Sequence, residues 1–218
     1  MDLSKLLEKM DLSKLLDLID DHMRNSTHPL IIGISGPPGS GKSTIANHLR
    51  TMITSHHPAI VVPMDGYHLY KKDLDAESFK RRGAHWTFDS RKFVDDIRSL
   101  KTNYIGSFPS FDHHIGDPIE NDITVSSSHR IIIIEGNYLY LSNPPWNELL
   151  NLFDIKVFIK CDINTIRERV IARHQSTGLT LEESTVRVDT NDILNAIEIN
   201  ETIDKADLII ENQLKVIL

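Results

Sequence analysis

Leu30-Ile-Ile-Gly-Ile-Ser-Gly-Pro-Pro-Gly-Ser-Gly-Lys-Ser43 is the stretch that decides the fold. Its first half is a short apolar run rich in β-branched residues, as expected of a strand covered on both faces. Its second half is a turn built on Gly36, Gly39 and Gly41 that opens a helical pattern over 42–53. Glycines let successive backbone N–H groups turn inward without a Cβ clash, and the result is a concavity that binds anions. The helix behind the turn adds the positive end of its dipole. Lys42 supplies an ammonium and Ser43 a hydroxyl that suits Mg²⁺. The predicted phosphate cradle comprises Gly36, Gly39, Ser40, Gly41, Lys42, Ser43 and Thr44, with Lys42 also acting in catalysis and Ser43 also a metal ligand.

Working outward, apolar runs at 59–64, 131–134, 155–159 and 208–210 alternate with helical patterns. One helix follows Asp89-Ser90, with Phe93, Val94, Ile97 and Leu100 on one face. Another follows the N-cap Asp162, and a third opens on the capping box Thr180-Leu-Glu-Glu183. Strand and helix in alternation predict an α/β fold: three layers around a mostly parallel, doubly wound sheet. The segment from about 103 to 128 breaks the alternation with glycines, prolines, aromatics and histidines. It reads as an insertion beside the ligand site. The heptapeptide Met1-Asp-Leu-Ser-Lys-Leu-Leu7 recurs from Met10 to Leu16, so residues 1–24 read as an amphipathic helical leader and 25–218 as the main domain.

Composition narrows the partners. The 218 residues are 40% hydrophobic and 25% charged, ordinary for a globular domain. A net charge of −7 argues against nucleic acid, because backbone phosphates demand excess Lys and Arg. No apolar stretch approaches the roughly 20 residues of a membrane helix, so no membrane partner is expected. The single cysteine, Cys161, suits a reducing cytoplasmic setting. Association into a homodimer is left open.

Two acids stand at predicted strand ends, Asp65 after 59–64 and Glu135 after 131–134. In open α/β sheets the crevice beyond the carboxyl ends of the strands holds the ligand. Phosphoryl transfer from ATP needs a group to hold Mg²⁺ and one to orient or deprotonate the attacking hydroxyl. Glu135 is assigned to the metal and Asp65 to the hydroxyl, as general base. Tyr67 and His68 follow Asp65 closely and are expected to contact the acceptor. The guanine-reading sequence Asn-Lys-x-Asp is absent, which argues against a GTP switch.

Met64-Asp-Gly-Tyr-His-Leu69, Arg82-Gly-Ala-His-Trp-Thr-Phe-Asp89 and Ile134-Glu-Gly-Asn-Tyr138 resemble the motif set of the uridine kinase, phosphoribulokinase and bacterial pantothenate kinase superfamily. The match covers about 30–212 and is nearest to a uridine-kinase-like branch. It departs from true uridine kinases, which show Asp-Ser-Phe-Tyr where this chain has Asp-Gly-Tyr-His. Arg82 stands where Lys is usual, and His85 where Pro is usual. The resemblance implies a P-loop NTPase fold and ATP-dependent transfer to a hydroxyl of a nucleoside, a pantothenate-like acid or a sugar derivative. The alternative is a regulatory ATP-binding module without an acceptor. It further implies that Asp65 is the base and that Arg82, Asp112 and His113 contact substrate. A lid over about 167–187 would bring Arg169 and Arg173 to the ATP phosphates. Arg187, Asn191, Asp192 and Asn195 share a helix face without an assigned role.

Overall fold

A computed structural model describes residues 12–112 and 115–212. Along the chain, α1 (Ser13–Asn25) leads to β1 (Leu30–Ser35), α2 (Lys42–Thr54), β2 (Ala59–Pro63), α3 (Ala76–Lys80) and α4 (Ser90–Asn103). A strand pair follows, β3 (Gly106–Asp112) and β4 (Asp117–Val125), then β5 (Ile131–Gly136) and β6 (Ile155–Lys160). The last elements are α5 (Ile163–Ser176), α6 (Leu181–Arg187), α7 (Ile193–Asn200) and β7 (Leu208–Glu211).

The main sheet has five strands in the order β2-β5-β1-β6-β7, with every pairing parallel. Four consecutive isoleucines in β5 show why such strands read as continuous apolar runs. Ile131 and Ile133 pack with Ile45, Leu49 and Ile53 of α2, while Ile132 and Ile134 pack with Phe93, Val94 and Ile97 of α4. Each face of the pleat has its own helical cover, so alternation disappears. Each such side chain, fully buried, contributes roughly 1.5–3 kcal/mol. The three layers and the parallel sheet therefore stand as the sequence implies.

Leu12, Leu15 and Ile19 join the α2 side of the core, so Leu12 and Leu15 of the second heptapeptide copy pack onto the domain. The first copy lies outside the described residues. The 103–128 insertion is a two-stranded antiparallel hairpin, β3–β4, with its register shifted between Phe108 and Ser110. Pro109 between them has no N–H to give the ladder, which accounts for the irregularity. Among the described residues no helix is long and apolar enough to cross a membrane.

Register fixes the position of the site. Pro63 pairs with Glu135, and Ser35 with Gly136, so the carboxyl ends of β2, β5 and β1 lie side by side. The turn after β1, the acid at the end of β5 and the turn after β2 are thereby neighbours.

Candidate active site

The turn after β1 is tied down from several directions. Gly41 has φ 91°, and a Cβ there would lie 2.6 Å from the Asn212 side chain. Asn212 in turn donates to the Ser40 carbonyl at 2.7 Å. Arg169 of α5 donates to the Gly39 carbonyl at 2.9 Å. Lys42 opens α2, is buried, and donates from Nζ to the Pro37 carbonyl at 3.1 Å. Burial lowers its pKa to about 8, opposed by the charges of Glu135 and Asp65 and aided by Arg173. Exposed Thr44 also lies in the first turn of α2. A glycine-rich turn, a helix N-terminus and an ammonium thus converge where a polyphosphate would sit.

Ser43 Oγ donates to Glu135 Oε1 at 2.9 Å. Burial, and then the charge of Asp65, raise the Glu135 carboxyl to about 7, while Lys42 and the Ser43 hydrogen bond pull it down. A hard divalent cation fits this hydroxyl–carboxylate pair. Among the described residues no cluster of three or more His, Cys, Asp or Glu side chains is placed to hold a metal.

Asp65 is carried by a 3₁₀ turn, Met64–Tyr67, because β2 stops at Pro63 and not at Met64 as its apolar run predicts. Gly66 lets this turn press against the hairpin, since a Cβ there would fall 2.2 Å from the Pro109 carbonyl. The Asp65 carbonyl lies 2.8 Å from His68 Nδ1. The His68 ring sits between Phe88 and Phe111, with centroids 4.0 and 4.7 Å away. His68 therefore shares an aromatic wall with the hairpin beside Asp65.

Tyr67 does not join it. It is 2% exposed in the α4 core, and its hydroxyl donates to Asp96 at 2.8 Å. One step along a tight turn reverses the side chain, so adjacency to Asp65 misled the reading of Tyr67. Arg82 is brought to the site. It donates to Leu69 O and Asp117, and its guanidinium lies 5.6 Å from the Phe111 ring centroid. Asp112 ends β3 and accepts from the Ile115 amide at 3.0 Å, at the hairpin turn. His113 lies outside the described residues. Arg169 touches the phosphate turn directly, and Arg173 is exposed but near enough to act on Lys42.

Residues 31–216 match the family described as Phosphoribulokinase / Uridine kinase family. The chain belongs to that family. As a member of the phosphoribulokinase / uridine kinase family it is an ATP-dependent P-loop kinase, a phosphotransferase. It is 38% identical over 194 residues to "Putative uridine kinase C227.14" of Schizosaccharomyces pombe, covering 84% of this chain and 83% of that one. It is 30% identical over 230 residues to "ATP-dependent kinase YFH7" of Lachancea thermotolerans, covering 86% and 66%. A crystal structure described as a "putative fructose transport system kinase" from Silicibacter sp. superposes with a TM-score of 0.82 at 31% identity, covering 96% and 98%.

Family motifs drew attention to Arg187, Asn191, Asp192 and Asn195 without giving them a role. In the structure Asn191 donates to the Arg82 carbonyl at 3.0 Å and accepts from Arg81 Nε at 2.9 Å. Asn195 lies 3.4 Å from the Arg81 guanidinium. Asp192 holds His174 Nε2 at 2.9 Å. His85, in the position where Pro is usual, meets Glu198 of α7 at 3.0 Å. Sequence reasoning missed Asn212, Phe88 and Phe111. Asn212 had a usable signal: it is a polar residue just past a strand end, by the same rule that picked Asp65 and Glu135.

Proposed function

We propose that the protein transfers the ATP γ-phosphoryl group to a hydroxyl of a small polar metabolite, with Asp65 as general base. The observation that carries this reading is that two acids act on Lys42 and only one of them, Glu135, is bonded to the Ser43 hydroxyl. Glu135 has a partner suited to holding a cation, and Asp65 adjoins, through its backbone carbonyl, the aromatic wall of His68 and Phe111. A module that only sensed nucleotide would need neither the second acid nor that wall.

The loop amides and Lys42 bind and orient the β- and γ-phosphates, and Arg169 and Arg173 approach them from α5. Ser43 and Glu135 would hold a magnesium ion, which when bound neutralises charge on those phosphates. Asp65 accepts the proton of the attacking hydroxyl as its oxygen forms a bond to the γ-phosphorus. The bond from that phosphorus to the bridging oxygen breaks, and ADP leaves. Nucleosides and sugars, named for the S. pombe and Silicibacter relatives, are acceptors to test beside pantothenate-like acids.

ADP release measured with and without acceptors separates kinase from module, since only a kinase is acceptor-dependent. Lys42→Ala and Asp65→Asn should each lower turnover at least about 100-fold. Asp65→Asn should still take up Mg·ATP. Near-normal turnover in Asp65→Asn removes it from the mechanism.

A further inference from the structure

Two guanidinium groups on the acceptor side have donors without acceptors. Arg82 uses its terminal nitrogens on Leu69 O, Gly116 O and Asp117, yet its Nε is buried and finds no acceptor among the described residues. Arg187, the last residue of α6, has a buried Nε in the same condition and forms no ion pair among the described residues. A buried donor on a charged group is costly to leave unmade, so each of these calls for an acceptor from ordered water or from a ligand.

The two side chains belong to one place. Arg187 precedes Asn191 by four residues, and Asn191 holds both the Arg82 carbonyl and the Arg81 guanidinium. The turn that follows Arg187 and α6 is thereby fastened to residues 81–82. Burial depresses the Arg82 pKa, Asp117 opposes that, and the charge of Arg187 adds to the depression. A third cation is nearby, because Lys71 Nζ donates to the Ile115 carbonyl at the hairpin turn. The facing acids are already engaged. Asp117 takes Arg82 and the Lys71 amide, and Asp112 takes the Ile115 amide.

From this cluster to the proposed base the path is short. Arg82 lies on Phe111, Phe111 packs on His68, and His68 bonds the Asp65 carbonyl. Arg169, by contrast, touches the phosphate turn, and Arg173 acts on Lys42, so those two serve the nucleotide side. We infer that the acceptor is an anion, an alcohol whose carboxylate or phosphate group is held between Arg82 and Arg187 while its hydroxyl faces Asp65. This rests on the kinase reading. A neutral nucleoside or sugar could accept from the Nε–H groups but would leave the mutual repulsion of the two guanidinium charges without a counter-charge, and sites built for a charged group disfavour analogues that lack it. Carboxylate and phosphate both match the guanidinium fork.

The test is ADP release from the full chain with Mg·ATP and matched acceptors. These are glucose, gluconate and glucose 6-phosphate; glycerol, glycerate and glycerol 3-phosphate; and uridine and pantothenate. We expect kcat/KM for an anionic acceptor to exceed that of its neutral parent by at least about 100-fold, the preference within each trio telling carboxylate from phosphate. Arg82→Gln and Arg187→Gln should each raise the KM for that anion at least about tenfold and leave the KM for ATP within about twofold. Arg82→Lys keeps the charge but not the fork, and its Mg·ATP titration reports whether the fold survives. Turnover confined to neutral acceptors, or KM effects on ATP alone, overturns the inference and leaves the kinase standing. Mg·ATP uptake without acceptor-dependent release from any compound overturns the kinase reading, and the inference with it.

Discussion

Lys42 carries its charge where burial works against it, which is why its pKa falls to about 8 despite Glu135 and Asp65 nearby. An arriving triphosphate adds negative charge and must raise that pKa again, so nucleotide binding near pH 8.5 should take up protons. Calorimetry in buffers of different ionisation enthalpy reads this uptake. It should vanish in Lys42→Met, and buffer-independent heats in the wild-type protein would refute it. Glu135 behaves in the opposite sense. Its folded pKa, raised from 4.5 to about 7, means that the folded chain binds more protons than the unfolded one between those values. The stability it contributes is complete below pH 4.5 and is lost as pH rises through about 7. Melting curves of the nucleotide-free protein should show that decline, and Glu135→Gln should flatten it. An unchanged profile in the variant would assign the decline elsewhere. Both residues were legible because the glycine turn and the strand ends fix them locally. Tyr67 and His68 were not separable, because a 3₁₀ turn decides which of two neighbours faces the core.

At the level of the element, caps made the helices readable. Asp89, Asp162 and Thr180 each accept the backbone N–H groups their positions imply. The hairpin was opaque for the opposite reason. β4 is largely exposed or half-buried, so no apolar alternation marks it. The π-helical turn Val188–Asp192 was also invisible, since its register depends on what Asn191 and Asp192 meet across space. For α1, the buried Leu15 gives a direct test. Leu15→Ala should cost about 2–5 kcal/mol of unfolding free energy. Denaturation with less than about 1 kcal/mol of change would mean that the helix adds little to the α2 side of the core.

Across the whole molecule, the carboxyl ends of the strands collect groups that are far apart in the chain, and the helices after β6 join the nucleotide and acceptor sides. α5 reaches the phosphate turn through Arg169, while the turn after α6 reaches residues 81–82 through Asn191. Asn191→Ala should therefore uncouple acceptor from nucleotide. The ratio of acceptor-dependent to acceptor-independent ADP release should drop on the order of tenfold, with Mg·ATP affinity preserved. A preserved ratio would assign Asn191 to stability alone.

The bond from Asn212 to the Ser40 carbonyl spans 172 positions. During synthesis, β1 and its glycine turn leave the ribosome long before residue 212 does. The turn consequently stays without its clamp until translation has passed β7, and a chain clipped upstream of Asn212 would possess every phosphate-binding residue yet lack the brace that holds their shape.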